Sequence, residues 1–108
     1  MTNIKSMRYS VFMRTPLGKK YGTLIAQKTD DRLSGTLEIL GHKRPFSGEI
    51  DLSGKCRISG SIVTLLRTFY YTAAGSINEG AVHLLLTGDR DTYEIIGTAE
   101  KTMEGAAI

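Results

Sequence analysis

The chain has 108 residues, of which 41% are hydrophobic and 23% are charged. This length allows one domain, and the composition is that of a globular protein rather than a disordered chain. No apolar run approaches the roughly 18 residues that a membrane-spanning helix needs, and residues 1–15 lack the pattern of a signal peptide. We therefore expect one cytoplasmic domain over residues 1–108 and no membrane partner.

The formal net charge is +3, and the basic surplus lies in the first half of the chain. The basic residues occur singly or in pairs in or beside predicted turns, as in Lys19-Lys20 and Lys43-Arg44. They do not alternate with exposed aromatic residues along one strand, as single-strand nucleic-acid binders require. Solvated hairpin tips are the better interpretation, so we expect no nucleic-acid partner.

Metal and cofactor chemistry has little support in the sequence. Cys56 is the only cysteine, which excludes an intramolecular disulfide and a multi-cysteine metal site. We interpret it as a small side chain that fills a strand position rather than as a reactive thiol. His42 and His83 are the only histidines and lack the spacing of a ligand pair. We expect no cofactor and no bound metal.

An internal repeat organises the sequence. A glycine is followed by a small polar or acidic residue and then by an aliphatic residue, within a longer unit of about 24 residues. Each longer unit reads as a strand, a turn and an aromatic-led strand that contains a glycine. Four units predict four hairpins and eight strands. The clear copies of the triplet are Gly22-Thr23-Leu24, Gly35-Thr36-Leu37, Gly48-Glu49-Ile50, Gly60-Ser61-Ile62 and Gly75-Ser76-Ile77.

Alternation of apolar and polar residues supports this interpretation. One segment, residues 62–74, also fits a helical apolar stripe, but its β-branched and aromatic residues favour two strands. The predicted strands are 8–15, 20–29, 32–40, 44–52, 56–65, 68–77, 81–88 and 92–101.

The repeated glycines lie on the apolar face of their strands. Glycine weakens a strand interior, so its recurrence there needs a structural cause. Small closed barrels provide one, because their strands coil sharply and a missing side chain relieves crowding inside. We therefore predict an all-β fold, an eight-stranded antiparallel up-and-down β-barrel over residues 8–102, with mobile ends at 1–7 and 103–108. A two-sheet sandwich or a partly open barrel is the alternative.

Residues 8–100 resemble a group of small bacterial β-barrel proteins that are similar in shape to calycins, the lipocalin-like barrels. The resemblance rests on Thr15-Pro16-Leu17-Gly18, Leu33-Ser34-Gly35-Thr36-Leu37 and Phe46-Ser47-Gly48-Glu49-Ile50. It implies a calycin-like fold and no defined activity. Lipocalins carry a Gly-x-Trp near the first strand, and this chain has no tryptophan. The lipocalin ligand class therefore does not transfer.

Two surfaces are candidates for function. Inside the barrel, aromatic and sulfur side chains predict a pocket for a small apolar ligand, with ordinary core packing as the alternative. Outside it, apolar residues predict a homodimer interface, unless the strand register slips by one residue. The predicted ligand-binding residues are Tyr9, Met13, Phe46, Tyr71 and Tyr93, and the predicted interface residues are Val63, Leu65, Tyr70, Leu85 and Ile96.

These observations lead to three functional hypotheses. The first is a dimeric, non-enzymatic barrel that holds a small apolar ligand. The second is an interaction or structural module with a filled barrel that acts through its apolar outer face. The third is an enzyme that uses tyrosines at the barrel mouth. An enzyme of this kind needs a polar group inside the barrel with a strongly shifted pKa, and the sequence names no clear candidate, so we favour a protein that is not an enzyme.

Overall fold

The structure, a computed structural model, describes residues 4–64 and 66–100 and contains eight antiparallel strands. Each strand pairs with the next along the chain, and β1 pairs with β8 to close the barrel. The predicted up-and-down barrel is confirmed, and the sandwich and partly open alternatives are excluded. The strands are β1 (Ile4–Thr15), β2 (Gly18–Thr29), β3 (Arg32–Ile39), β4 (His42–Ile50), β5 (Lys55–Val63), β6 (Thr68–Ile77), β7 (Ala81–Thr87) and β8 (Thr92–Ala99).

The ambiguous segment 62–74 forms the end of β5 and the start of β6, so the two-strand interpretation is confirmed. Along β6 the buried Phe69 and Tyr71 alternate with the exposed Tyr70 and Thr72, which is the periodicity of a strand. β1 begins at Ile4, four residues before its predicted start. Of the predicted mobile ends, residues 4–7 belong to β1, whereas residues 1–3 and 103–108 lie outside the described residues.

Inward side chains from all eight strands fill one core. The barrel is flattened, with principal extents of 43 × 30 × 20 Å, so opposite walls lie close enough for their side chains to meet. Within the described ranges the chain forms no helix of the length and apolarity needed to cross a membrane. The largest fully buried side chains are those of Tyr9, Leu24, Leu33, Leu37, Ile39, Ile77, Val82, Leu84, Leu86 and Ile95.

The inward glycines allow neighbouring strands to approach closely where the wall bends. A methyl group on Gly35 would overlap the carbonyl oxygen of Ile25 in β2 and would lie 3.0 Å from the ring of Phe46 in β4. A methyl group on Gly48 would likewise overlap the carbonyl oxygen of Arg57 in β5. A backbone carbonyl cannot move aside as a flexible side chain can. A larger residue would therefore force the strands apart and open the bend.

This packing predicts a large difference between two glycine-to-alanine substitutions. Gly35→Ala should lower the free energy of unfolding by at least about 2 kcal/mol, because the added methyl group overlaps backbone. Gly80→Ala is the matched control, since Gly80 is exposed and the nearest atom to its added methyl group is 4.0 Å away. Its effect should stay within about 0.5 kcal/mol. Urea unfolding measures both values, and equal losses would contradict the proposed role of the inward glycines.

Candidate functional site

The two ends of the barrel differ in chemistry. At one end, which we call the mouth, lie the turns of the four hairpins β1–β2, β3–β4, β5–β6 and β7–β8. A cavity of about 950 Å³, the mouth cavity, opens there. The turns at the opposite end contain Asp30, Asp31, Asp51 and Glu79. Exposed leucines surround a cavity at the mouth, whereas the exposed Leu52 of the opposite end lies in a turn beside Asp51.

Four side chains from four different strands line the inner part of the mouth cavity. Met13 lies on β1, Ile62 on β5, Phe69 on β6 and Tyr93 on β8. The rings of Phe69 and Tyr93 pack edge to face, with centroids 5.2 Å apart and planes at 79°. This geometry is the favoured one for aromatic pairs. The inner wall is therefore apolar and well packed.

The rim of the mouth carries three exposed leucines on three hairpin turns. Leu17 is 89% exposed, Leu66 is 95% exposed and Leu40 is 42% exposed, and all three line the mouth cavity. Single exposed leucines are common, but a group around a concave apolar site is characteristic of a binding surface. Pro16 adds a further apolar group to the rim.

Two of these turns are held by the same hydrogen-bond pattern. The hydroxyl of Thr15 donates to the carbonyl of Gly18 at 2.7 Å and accepts from the amide of Leu17 at 3.2 Å. The hydroxyl of Thr64 likewise donates to the carbonyl of Arg67 at 2.7 Å and accepts from the amide of Leu66 at 3.3 Å. Each threonine satisfies the turn backbone locally, so each leucine is presented on a hydrogen-bonded turn.

The third rim leucine has an unfavourable backbone conformation. Leu40 and Gly41 form the β3–β4 turn with φ angles of +58° and +80°. Turns of this kind favour Asn-Gly, and a left-handed conformation costs a leucine about 1–2 kcal/mol. The turn thus presents an apolar side chain at the mouth where asparagine would be more stable. Backbone strain of this kind concentrates at functional sites.

The polar groups of the mouth cavity lie around its rim. The guanidinium of Arg67 binds the carboxylate of Asp91 at 2.8 Å and so links the β5–β6 loop to the β7–β8 loop. It also lies 5.9 Å from the centroid of the Phe69 ring. Lys20 and His42 line the rim from β2 and β4. The rim therefore carries more basic groups than acidic ones.

The wall between β4 and β5 is incomplete near the mouth. Their pairing ends at Phe46 and Gly60, although β4 extends to His42 and β5 to Val63. Pro45 has no amide hydrogen to donate, so it cannot continue the ladder. Arg44 spans this region through a hydrogen bond of 3.0 Å from its Nε to the hydroxyl of Ser61. Near the mouth, β5 is therefore paired with β6 but not with β4.

The structure distributes the five predicted ligand-binding residues over three levels of the barrel. Met13 and Tyr93 line the mouth cavity. Phe46 and Tyr71 are buried deeper, within the core. Tyr9 is fully buried, and its hydroxyl donates to the carbonyl of Asn78 near the opposite end. The barrel therefore does not bring the five residues together in one pocket.

Sequence reasoning missed most of the mouth. Leu17, Leu40 and Leu66 stand in or beside predicted turns, and apolar residues at turn positions were the available signal. Lys20 could have been found from its register, since it continues the inward alternation of Gly22 and Leu24. Neither signal shows by itself that the turns gather at the same end with a cavity between them.

The five predicted interface residues also separate into different regions. Leu85 is 49% exposed on β7, and it lies diagonally beside the half-buried Ile96 of β8. Val63 lines the mouth cavity, and the exposed Tyr70 lies on β6 toward the mouth. Leu65 lies outside the described residues.

An apolar row on the outer face includes two residues absent from the predicted interface. Ile96 faces Phe12 of β1, and Phe12 faces Tyr21 of β2. The rings of Phe12 and Tyr21 have centroids 6.1 Å apart. We call Leu85, Ile96, Phe12 and Tyr21 the outer row.

Other chemistry has less support in the structure. Within residues 4–64 and 66–100, no three His, Cys, Asp or Glu side chains are placed to hold a metal ion. Burial raises the pKa of the Cys56 thiol to about 11, so at neutral pH it is almost entirely protonated and unreactive. Burial raises the pKa of Tyr9 to about 12, with a smaller contribution from the charge of Glu79. Tyr9 and Tyr71 therefore remain neutral phenols at pH 7.

Tyr71 makes the stability of the barrel sensitive to alkaline pH. Burial raises the pKa of Tyr71 from 10.0 to about 12, so the folded state favours the neutral phenol. This contribution is fully present below about pH 10 and is lost as the pH rises toward about 12, by up to about 1.4 kcal/mol per pH unit. Tyr71→Phe should make this decline shallower in urea unfolding between pH 10 and pH 12. Tyr70→Phe is the exposed control, and equal slopes for both variants would contradict the assignment.

Comparisons of the chain with models of known protein families, with curated proteins and with solved structures find no match. The functional inference therefore rests on the geometry of the mouth and of the outer face.

Proposed function

We propose that this protein is a non-enzymatic β-barrel that binds a small apolar ligand in the mouth cavity. The observation that carries the proposal is the cavity of about 950 Å³ between an apolar inner wall and a rim of exposed leucines. Small-molecule sites are concave, mostly apolar and roughly 300–1,000 Å³ in volume, with a few polar groups that orient the ligand. The mouth cavity has each of these properties.

The mouth offers a ligand more binding free energy than the interior of the barrel does. The interior is filled by packed side chains, and an eight-stranded barrel has room only for those or for one small ligand. At the rim, full burial of a leucine side chain contributes about 1.5–3 kcal/mol. Leu17 and Leu66 are almost fully exposed, so a ligand that covers them gains much of this free energy.

The pre-formed turns reduce the cost of binding. The turns that carry Leu17 and Leu66 are hydrogen-bonded through Thr15 and Thr64. Side chains on ordered turns lose less conformational entropy when a ligand arrives than side chains on disordered loops. We also propose that the barrel is calycin-like. A ligand at an open barrel end is compatible with that resemblance.

A homodimer is the second candidate, and the outer row favours it. Four apolar side chains from four strands lie next to one another there, whereas a solvated antiparallel face usually carries polar residues. Two copies of one surface can pair around a twofold axis, which is the commonest arrangement of homo-oligomers. This candidate does not compete with ligand binding, because no residue of the outer row lines the mouth cavity.

The ligand proposal predicts that substitution of a rim leucine weakens ligand binding and that substitution of a distant exposed leucine does not. N-phenyl-1-naphthylamine is a neutral apolar dye that fluoresces when it leaves water, and we expect it to bind the native protein. Leu66→Ser should weaken its binding about threefold to tenfold, because the variant removes apolar contact area at the rim. Leu52→Ser is the control, since Leu52 is 100% exposed in the β4–β5 turn at the opposite end.

Fluorescence titration measures both affinities. Equal weakening by Leu66→Ser and Leu52→Ser would place the dye elsewhere, and no fluorescence with the native protein would argue against the mouth as an apolar site.

The dimer candidate predicts that a charge in the outer row separates the protomers. Leu85→Glu should weaken the dimer at least tenfold, because it places a carboxylate in an apolar contact. Thr87→Glu is the matched control, since Thr87 is exposed on the same face of the same strand but lies outside the outer row. Sedimentation velocity over a concentration series measures the change. A native protein that is monomeric throughout, or a dimer that Leu85→Glu leaves intact, would exclude this interface.

A further inference from the structure

The mouth cavity contains one charged side chain at a position where the strand pattern requires an inward residue. Lys20 pairs with the buried Met13 of β1, and cross-strand partners lie on the same face of the sheet. It is followed at inward positions by Gly22 and Leu24. Lys20 is half-buried and lines the mouth cavity. A cation therefore lies at the edge of an otherwise apolar wall.

The charge of Lys20 is not balanced within the cavity. The mouth cavity has one carboxylate among its lining residues, that of Asp91, and Arg67 binds it at 2.8 Å. Among residues 4–64 and 66–100, Lys20 takes part in no ion pair within 4 Å. His42 lines the same cavity and adds a further hydrogen-bonding group. The rim thus attracts an anion at a point next to apolar surface.

The adjacent Lys19 carries the same charge at an outward position of β2. Lys19 pairs with the exposed Arg14, and its ammonium lies 4.6 Å from the centroid of the Phe12 ring on the outer face. Lys19 therefore has an aromatic partner outside the barrel, and it does not line the mouth cavity. The two neighbouring lysines have the same chemistry and opposite directions.

We propose that the ligand of the mouth cavity is an amphiphile with one anionic headgroup, specifically an alkyl carboxylate. The proposal rests on the proposed function of the mouth and specifies its ligand class. The alkyl chain packs on Tyr93 and on the rim leucines, over the floor that the buried Met13, Ile62 and Phe69 form. The carboxylate accepts a hydrogen bond from the ammonium of Lys20. The leucines of the rim cover the part of the chain that leaves the cavity. A charged hydrogen bond supplies the orientation that apolar contacts alone do not provide.

The experiment compares ligands that share a ten-carbon chain and differ in charge. Isothermal titration calorimetry measures decanoate, decanol and decyltrimethylammonium binding directly at pH 7.5, and N-phenyl-1-naphthylamine fluorescence reports occupancy of the cavity by an uncharged probe. With the native protein, decanoate should bind about tenfold more tightly than decanol, and decyltrimethylammonium more weakly than either. Added salt should weaken decanoate binding and leave decanol binding unchanged.

The variants Lys20→Met and Lys19→Met form a matched pair with the same loss of charge. Lys20→Met should reduce decanoate affinity about tenfold, to that of decanol, while N-phenyl-1-naphthylamine still binds. Lys19→Met should leave both affinities within about twofold.

Three outcomes would overturn the assignment. Equal binding of decanoate and decanol by the native protein, with the dye bound, rejects the anionic headgroup and leaves the apolar site intact. Equal effects of the two variants on decanoate show that only overall charge matters, and that Lys20 extends into solvent. Absence of both dye fluorescence and decanoate binding rejects the proposed function together with this ligand class.

Discussion

The barrel depends on the close approach of neighbouring backbones at its inward glycines. At Gly35 the carbonyl of Ile25 occupies the space that any β-carbon would need. This approach lets the sheet bend sharply, so eight short strands close without an exposed edge. The barrel measures 20 Å in its shortest extent, and the inward side chains of opposite walls fill its interior. The proposed ligand therefore binds at an end of the barrel rather than in its centre.

The mouth exists because neighbouring pairs of strands stop pairing at different positions along the barrel axis. Pairing of β4 with β5 stops at Gly60, and pairing of β6 with β7 begins only at Thr72. The inward side chains beyond these points, including Ile62 and Phe69, have no paired strand opposite them on one side. They are buried, with exposed fractions of 3% and 4%, and they form the floor of the mouth cavity on top of the core. The same closure that fills the interior therefore leaves an apolar surface at one end.

The rim exposes apolar side chains at a cost in folding stability. Leu40 has a left-handed backbone that asparagine or glycine would adopt at lower cost. Leu17 and Leu66 expose nearly all of their surface on turns that polar residues would solvate better. At the opposite end, the carboxylate of Asp51 instead accepts hydrogen bonds from the amides of Ser53 and Lys55, the usual chemistry of a solvated turn. That turn also exposes Leu52, so what distinguishes the mouth is that its exposed leucines surround one cavity.

The sequence by itself determined the strands, the hairpins and the inward glycines, because alternation and turn chemistry act over a few residues. The eight strands and the barrel class follow from the repeat, and only strand ends such as Ile4 differ from expectation. Tertiary structure decided where Tyr9, Phe46 and Tyr93 lie along the barrel axis, since inward alternation gives a face but not a height. It also decided that three turn leucines and Lys20 surround one cavity. That juxtaposition depends on barrel closure and on where each ladder ends, which are long-range properties that local patterns do not contain.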